Sequence, residues 1–334
     1  MPSPSRSSFA VGRKLALAIF VVALALGLIT AATVFGSSQG PRLARGAQPQ
    51  WQYAPHLLNR RSYTASAEIG GRIYVAAGMV GNSGRPLNLF EVFDPVRNEW
   101  SSLPFVPERF SAAAGAALGS TMYVIGGNGD PKDKAVDGRQ VFAYDVRTRK
   151  WSRRASLPAV RTNLAAVGLG GEIYALGGLD PFHATRSVFV YDPRRNRWRT
   201  GPPLPEKLHA LAAVRFRGEL WVIGGQNAAG KAVSHVWIYN ANRHRWRPGP
   251  TMPVPLETAG AAATASKIYV VLEKTFLTWD AQTRRWTRGP GLRTPRHALA
   301  VFVADGDLYA IGGCIAPILE DSAIVEKLPL SGQA

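Results

Sequence analysis

From residue 51 onward the apolar residues come in short runs rich in Val, Ile, Tyr, Phe and Trp, each ended by Gly, Pro, Asp or Asn. Runs of this kind between turn residues predict β-strands. The runs follow one order. A segment of small, alternating residues opens the unit, as in Arg109-Phe-Ser-Ala-Ala-Ala-Gly115. A Gly turn and an apolar strand follow, the latter ending in two glycines, as in Tyr123-Val-Ile-Gly126-Gly127. After a variable loop, a third strand ends in an aromatic residue and Asp, as in Tyr144-Asp145. A short turn then leads into a fourth strand that carries Trp and ends in Pro. By contrast, Leu15 to Phe35 is predominantly apolar and carries no charge, which predicts a different kind of segment.

The unit recurs. Trp stands at 51, 100, 151, 198, 246 and 286, at spacings of 49, 51, 47, 48 and 40. Gly177-Gly178, Gly224-Gly225 and Gly312-Gly313 repeat the double glycine; Phe93-Asp94 and Tyr191-Asp192 repeat the third-strand ending, and Trp279-Asp280 fills the same slot. Two units depart, with Ala77-Gly78 in the first and Leu272-Glu273 with a short loop in the fifth, which predicts a trimmed fifth unit. A period of about 50 residues with four strands per unit is a propeller signature. With double glycine, Tyr-Asp and Trp in phase over residues 51–330, the chain resembles the kelch family. The resemblance implies an all-β, six-bladed kelch β-propeller. Strands crowded near the axis need Ala, Gly and Ser, while Trp and Tyr fill the space between blades. The last unit, from Arg296, lacks a Trp strand, and Trp51–Pro55 is a Trp strand with no blade before it. Residues 51–57 are therefore expected to close the ring as an N-terminal strand of blade six, which also covers free edges.

Before the repeats, residues 1–14 carry Arg6, Arg13 and Lys14 and no acid. The 21 residues after them would rise about 32 Å as a helix, against a hydrocarbon core of about 30 Å. A cleaved signal has a shorter apolar region, and the small residues Ala31 and Ala32 lie inside this one. The expected organisation is a cytoplasmic basic tail (1–14), a transmembrane signal anchor (15–35), a linker (36–50), the propeller (51–330) and a short tail (331–334). The propeller would stand outside the cytoplasm, periplasmic or at the cell surface, with the N-terminus inside. The net charge of +18 favours anionic partners. The single cysteine, Cys314, cannot form a disulfide within the chain.

Two faces are expected to differ. Loops after the double glycines and before each first strand lie on one face, the top; the turns between third and fourth strands lie on the other, the bottom. Counting from the second-strand aromatic residue, with one extra residue allowed in the second unit, gives a top position occupied by Arg61, Arg109, Arg161, Leu208, Leu256 and Arg296. The next position reads Ser62, Phe110, Thr162, His209, Glu257 and His297. Resemblance to peptide-binding kelch domains implies that Arg61, Arg109, Arg161 and Arg296 rim the mouth and meet an acidic protein, peptide or glycan, since guanidinium forks suit carboxylates; His209 and His297, at the next position, are further ligand-binding candidates. The bottom turns carry Arg147, Arg149, Lys150, Arg194, Arg195, Arg197, Arg243, Arg245, Arg284 and Arg285, a basic face suited to anionic lipid.

Three functions fit this pattern. The first is a non-catalytic binding module presenting the Arg-rimmed face. The second, by resemblance to periplasmic kelch enzymes, is a sugar-active enzyme of the sialic-acid mutarotase kind, with Glu257, His209 and His297 moving the proton. The third is a scaffold lying on a membrane surface. No phosphate loop, Gly-x-Ser-x-Gly elbow or His-Glu-x-x-His motif is present, and the Tyr/His set of the copper kelch oxidases is missing, so no metal, cofactor or nucleic acid is expected.

Overall fold

The computed structural model describes residues 49–81, 84–129, 137–315, 318 and 320–330, and every element in them is a β-strand, bridge or turn. The expected membrane anchor at 15–35 lies outside these residues, and no helix among the described residues is long and apolar enough to cross a membrane. The described part is a compact unit by itself.

It contains six antiparallel four-stranded sheets. Sheet one is Ala65–Ile69, Arg72–Ala76, Phe90–Asp94 and Glu99–Ser102; sheet two is Ala114–Leu118, Thr121–Ile125, Val141–Asp145 and Lys150–Arg153. Sheet three is Ala165–Leu169, Glu172–Leu176, Val188–Asp192 and Arg197–Thr200; sheet four is Ala212–Phe216, Glu219–Ile223, Val236–Asn240 and Arg245–Pro248. Sheet five is Gly260–Ala263, Lys267–Leu272, Thr275–Asp280 and Arg285–Arg288. Sheet six is Ala300–Ala304, Asp307–Ile311 and Val325–Pro329, with Gln52–Ala54 as its outer strand, Gln52 opposite Lys327. The first strands pack side by side in order, and that of sheet six packs against that of sheet one. Sheet five is trimmed: only Glu273 and Lys274 join its second and third strands.

Three sets of hydrogen bonds tie neighbouring sheets together, and each accounts for part of the repeat. Nearest the axis, Tyr63, Ala112, Asn163, Ala210, Thr258 and Ala298 all have φ between 50° and 55°. Each donates its N–H to the carbonyl of the residue before it in the ring, at 2.8–3.1 Å, and Tyr63 donates to Ala298, so the six bonds form a closed circle. Farther out, the N–H groups of Gly78, Gly127, Gly178, Gly225, Glu273 and Gly313 donate to carbonyls of the next sheet at 2.8–3.0 Å. The double glycine follows from this approach: a Cβ on Gly177 (φ 57°) would stand 2.4 Å from the Leu208 carbonyl oxygen. At the outer edge the indoles of Trp51, Trp100, Trp151, Trp198, Trp246 and Trp286 donate Nε1–H to carbonyls of the preceding sheet's exit segment, at 2.7–3.0 Å. Each indole is thereby pinned between two sheets, which is the structural role expected of it.

The Asp after each third strand caps the bottom turn. Asp145 Oδ1 accepts the N–H groups of Arg147 and Thr148, and Asp94, Asp192 and Asp280 repeat the pattern. These bonds hold all four carboxyls below the ordinary Asp range; the largest cause is a backbone N–H at Asp94, Asp145 and Asp280, and the Arg195 side chain at Asp192. Sheet four uses Asn240, whose Oδ1 accepts from the Arg243 N–H.

Candidate functional site

The top mouth is built from the residues that enter each first strand. The carbonyl that accepts the double-glycine N–H identifies the equivalent positions without ambiguity: Arg61, Phe110, Arg161, Leu208, Leu256 and Arg296. Each stands 13 residues before the second-strand aromatic residue, in sheet two as elsewhere. The extra residue allowed in the second unit does not exist. Phe110, fully buried, takes the place expected for Arg109, and Arg109 is exposed one residue earlier.

The other three arginines do not line the mouth. Arg61 and Arg296 are 0% exposed, and Arg161 is 3% exposed. Arg61 Nη2 lies 3.3 Å from Glu91 Oε1 and donates to the Val75 carbonyl at 3.2 Å. Arg296 donates to the carbonyls of Gly312 and Ile324 and lies 3.1 Å from Glu326 Oε1. Arg161 lies over the Phe189 ring, donates to Ser187 Oγ and pairs with Asp180 at 2.8 Å. Burial lowers the Arg61 pKa to about 10 and also lowers that of Arg296, with Glu91 and Glu326 opposing it. These guanidiniums are parts of the wall, so the expected ring of four accessible arginines is corrected to one exposed arginine, Arg109.

Glu91 and Glu326 are the residues that the Arg pattern alone left out. Each stands on the third strand of its sheet, buried, and also ties down the entering loop. Glu91 accepts from the Leu58 N–H and Asn59 Nδ2; Glu326 accepts from the Arg293 and Thr294 N–H groups. The signal was available: an acid interrupts the apolar run in Phe90-Glu-Val-Phe93 and in Val325-Glu326.

The next position around the mouth reads Ser62, Ser111, Thr162, His209, Glu257 and His297, with Ser111 in place of the expected Phe110. His209, Glu257 and His297 come from three successive sheets and face a common region: the Glu257 carboxylate acts on both imidazoles and on the Tyr63 phenol. Burial lowers both His pKa values, so both rings are neutral at neutral pH, while Gln226 and Glu257 oppose the shift at His209 and Glu273, Asp321 and Glu257 oppose it at His297. His209 Nδ1, Glu257 Oε2 and His297 Nδ1 are buried without a hydrogen bond among the described residues. Asp321 joins this half of the mouth, accepting from Ser62 Oγ at 2.5 Å and from the Gly81 N–H at 2.7 Å. Burial pushes the nearby Cys314 thiol up to about 11, which keeps it protonated.

Farther out, the same face exposes large apolar side chains. Leu58 (52% exposed), Phe105 (63%), Phe182 (86%) and Ile318 (61%) all lie on top loops. These loops vary from unit to unit, and no repeat marks them in the sequence. On the bottom, Val96 is exposed, and the ten basic residues expected there do lie on or beside the turns.

A closed ring of four-stranded sheets, tied by double glycines, Asp-capped turns and Trp clamps, defines a kelch-type β-propeller. The KLHDC2/KLHL20/DRC7 Kelch-repeats domain model matches residues 63–272, and the chain belongs to that family. Kelch-like protein 35 of Mus musculus is 32% identical over 139 residues, which cover 39% of this chain and 23% of that protein. Alpha-scruin of Limulus polyphemus is 30% identical over 132 residues, 39% of this chain and 14% of that protein. The chain thus spans less than a quarter of the length of these relatives. Among solved structures, that of YjhT aligns over 84% of this chain and 97% of its own, with a TM-score of 0.71 at 15% identity, a likeness of fold. Kelch-repeat domains mediate protein interactions.

Proposed function

We propose that the six sheets are the six blades of a non-catalytic interaction module whose top face receives another protein. The observation that carries this reading is the placing of Leu58, Phe105, Phe182 and Ile318 on loops of one face, with Arg109 exposed on the same loop as Phe105. Exposed aromatic residues and arginine are the side chains that dominate protein interfaces. Arg109 keeps one part of the acidic-ligand expectation, as a single contact for a carboxylate at the rim. The charge-free run from Leu15 to Phe35 supports a single-pass anchor with the propeller outside the cytoplasm. Photo-crosslinkers placed at Phe182 and at Val96 test the choice of face in native membranes. A discrete adduct from Phe182 alone, lost when Phe105 is changed to Ala, is the expected result. Equal labelling from both positions overturns it.

One observation favours a second reading. His209 Nδ1 and Glu257 Oε2 are buried without a hydrogen bond at a mouth where a neutral imidazole can accept a proton, and His297 Nδ1 lies 4.0 Å from Glu273 Oε1. That arrangement suits ring opening of an acidic sugar. An NMR anomerisation assay with Glu257→Gln as control decides it: a wild-type rate equal to the uncatalysed rate ends this reading.

A further inference from the structure

The bottom face is basic over only part of the ring. In sheets two to five the turns and outer strands carry Lys150, Arg194, Arg197, Arg243, Arg245 and Arg285, all exposed and all without an ion pair among the described residues. Arg147 and Arg195 are partly offset by their own turn aspartates, at 3.4 and 2.9 Å. Sheet one differs: its turn has Arg97 facing Glu99 at 3.8 Å. Sheet six has no such turn, because its outer strand is Gln52–Ala54. The charge therefore forms a crescent over four consecutive sheets, on and beside the equivalent turn of each.

We propose that this crescent docks on the anionic headgroups of a phospholipid bilayer. The unpaired bases lie on these turns (Arg194, Arg243) or on the first residue of the strand that follows (Lys150, Arg197, Arg245, Arg285), the same end of each sheet, which a flat charged surface meets together. Single-stranded nucleic acid would need aromatic faces for stacking. The indoles beside these bases (Trp151, Trp198, Trp246 and Trp286) are instead half-buried and held by their Nε1 bonds to backbone carbonyls. The side of approach rests on the anchored reading: the chain after the apolar run enters the ring at Gln52, at the bottom end of an outer strand.

The test is co-sedimentation of residues 49–334, a compact unit without the apolar run, with vesicles of phosphatidylcholine alone or mixed with phosphatidylglycerol. Binding is expected only with phosphatidylglycerol and is expected to fall as salt rises, since screening at physiological strength acts over about 8 Å. Each base near such a surface contributes about fivefold to affinity. The double substitution Arg197→Glu with Arg245→Glu should therefore reduce binding at least about 25-fold, while Arg60→Glu with Arg186→Glu on the top leaves it unchanged. Equal binding to both vesicles, no loss in the bottom variant, or preferential capture of single-stranded RNA at the same phosphate concentration overturns the proposal. Because the apolar run is omitted, a failure here is separate from a failure of the anchor.

Discussion

The same wall position is filled in two ways around this ring. In sheets four and five it holds Leu208 and Leu256; at sheets one and six it holds Arg61 and Arg296, each buried against a glutamate. The backbone does not distinguish them, since all four carbonyls accept the same hydrogen bond from the neighbouring sheet. An arginine at this position is thus compatible with a purely structural role, and its charge is answered inside the wall. The two ion pairs also differ in quality. Arg296 spreads its donors over four carbonyls and Glu326, whereas Nε and Nη1 of Arg61 have no partner among the described residues.

The largest effect should come from breaking one pair. Glu326→Ala would leave a guanidinium buried and uncompensated and would free the Arg293 and Thr294 N–H groups, a loss of about 3–5 kcal/mol. Urea unfolding of the described ring would show it as a lower midpoint at unchanged slope. Replacing both partners should behave very differently. Arg61→Leu with Glu91→Leu puts Leu at the wall position as in sheets four and five; relief of the two buried charges, about 1–4 kcal/mol, is set against the freed Leu58 N–H and Asn59 Nδ2, about 1–3 kcal/mol, so the net change is expected near zero. The poorly satisfied Arg61 pair should gain more from this exchange than the Arg296 pair. If both double variants lose as much as Glu326→Ala, the wall position is not equivalent among sheets.

Arg161 falls between the two cases, because its carboxylate partner Asp180 is 44% exposed. Arg161→Leu removes the contact with Phe189 and leaves Ser187 Oγ without its donor, for an expected loss of about 1 kcal/mol. A loss of the size predicted for Glu326→Ala would mean that Arg161 is as deeply committed to the wall as Arg296.

Much of this was legible in the sequence because the bonds between sheets admit few residues. A carbonyl 2.4 Å from a would-be Cβ demands Gly at Gly177, and a turn with two free N–H groups demands a short acceptor at Asp145. Such demands repeat, so they appear as a period. The mouth was less legible. Arg109 was matched to the wall by type, and only the constant 13-residue spacing, which needs no insertion, places Phe110 there. Arg61 and Arg296 looked like ligand contacts because their partners, Glu91 and Glu326, lie 30 residues away in both cases on another strand. Phe105 and Phe182 are exposed side chains on loops that the next sheet holds only through backbone carbonyls, at Pro104 and Thr185, which any residue supplies, so no spacing announces them.

The bottom turns offer the same comparison in a milder form, with an ionised cap in four sheets and Asn240 in sheet four. The folded-state pKa values of Asp94, Asp145, Asp192 and Asp280 lie below the ordinary value of 3.8. Their contribution is therefore fully present above the unfolded value and is lost as the pH falls through the folded ones. Asn accepts the same backbone N–H at Asn240 without titrating, so Asp192→Asn should keep the turn and change neutral-pH stability least of all these substitutions. The quadruple Asp→Asn variant should flatten the fall in stability on acidification below about pH 4. Urea midpoints measured across that range check it. An unchanged acid limb in the quadruple variant would show that these four caps do not set the acid stability of the ring.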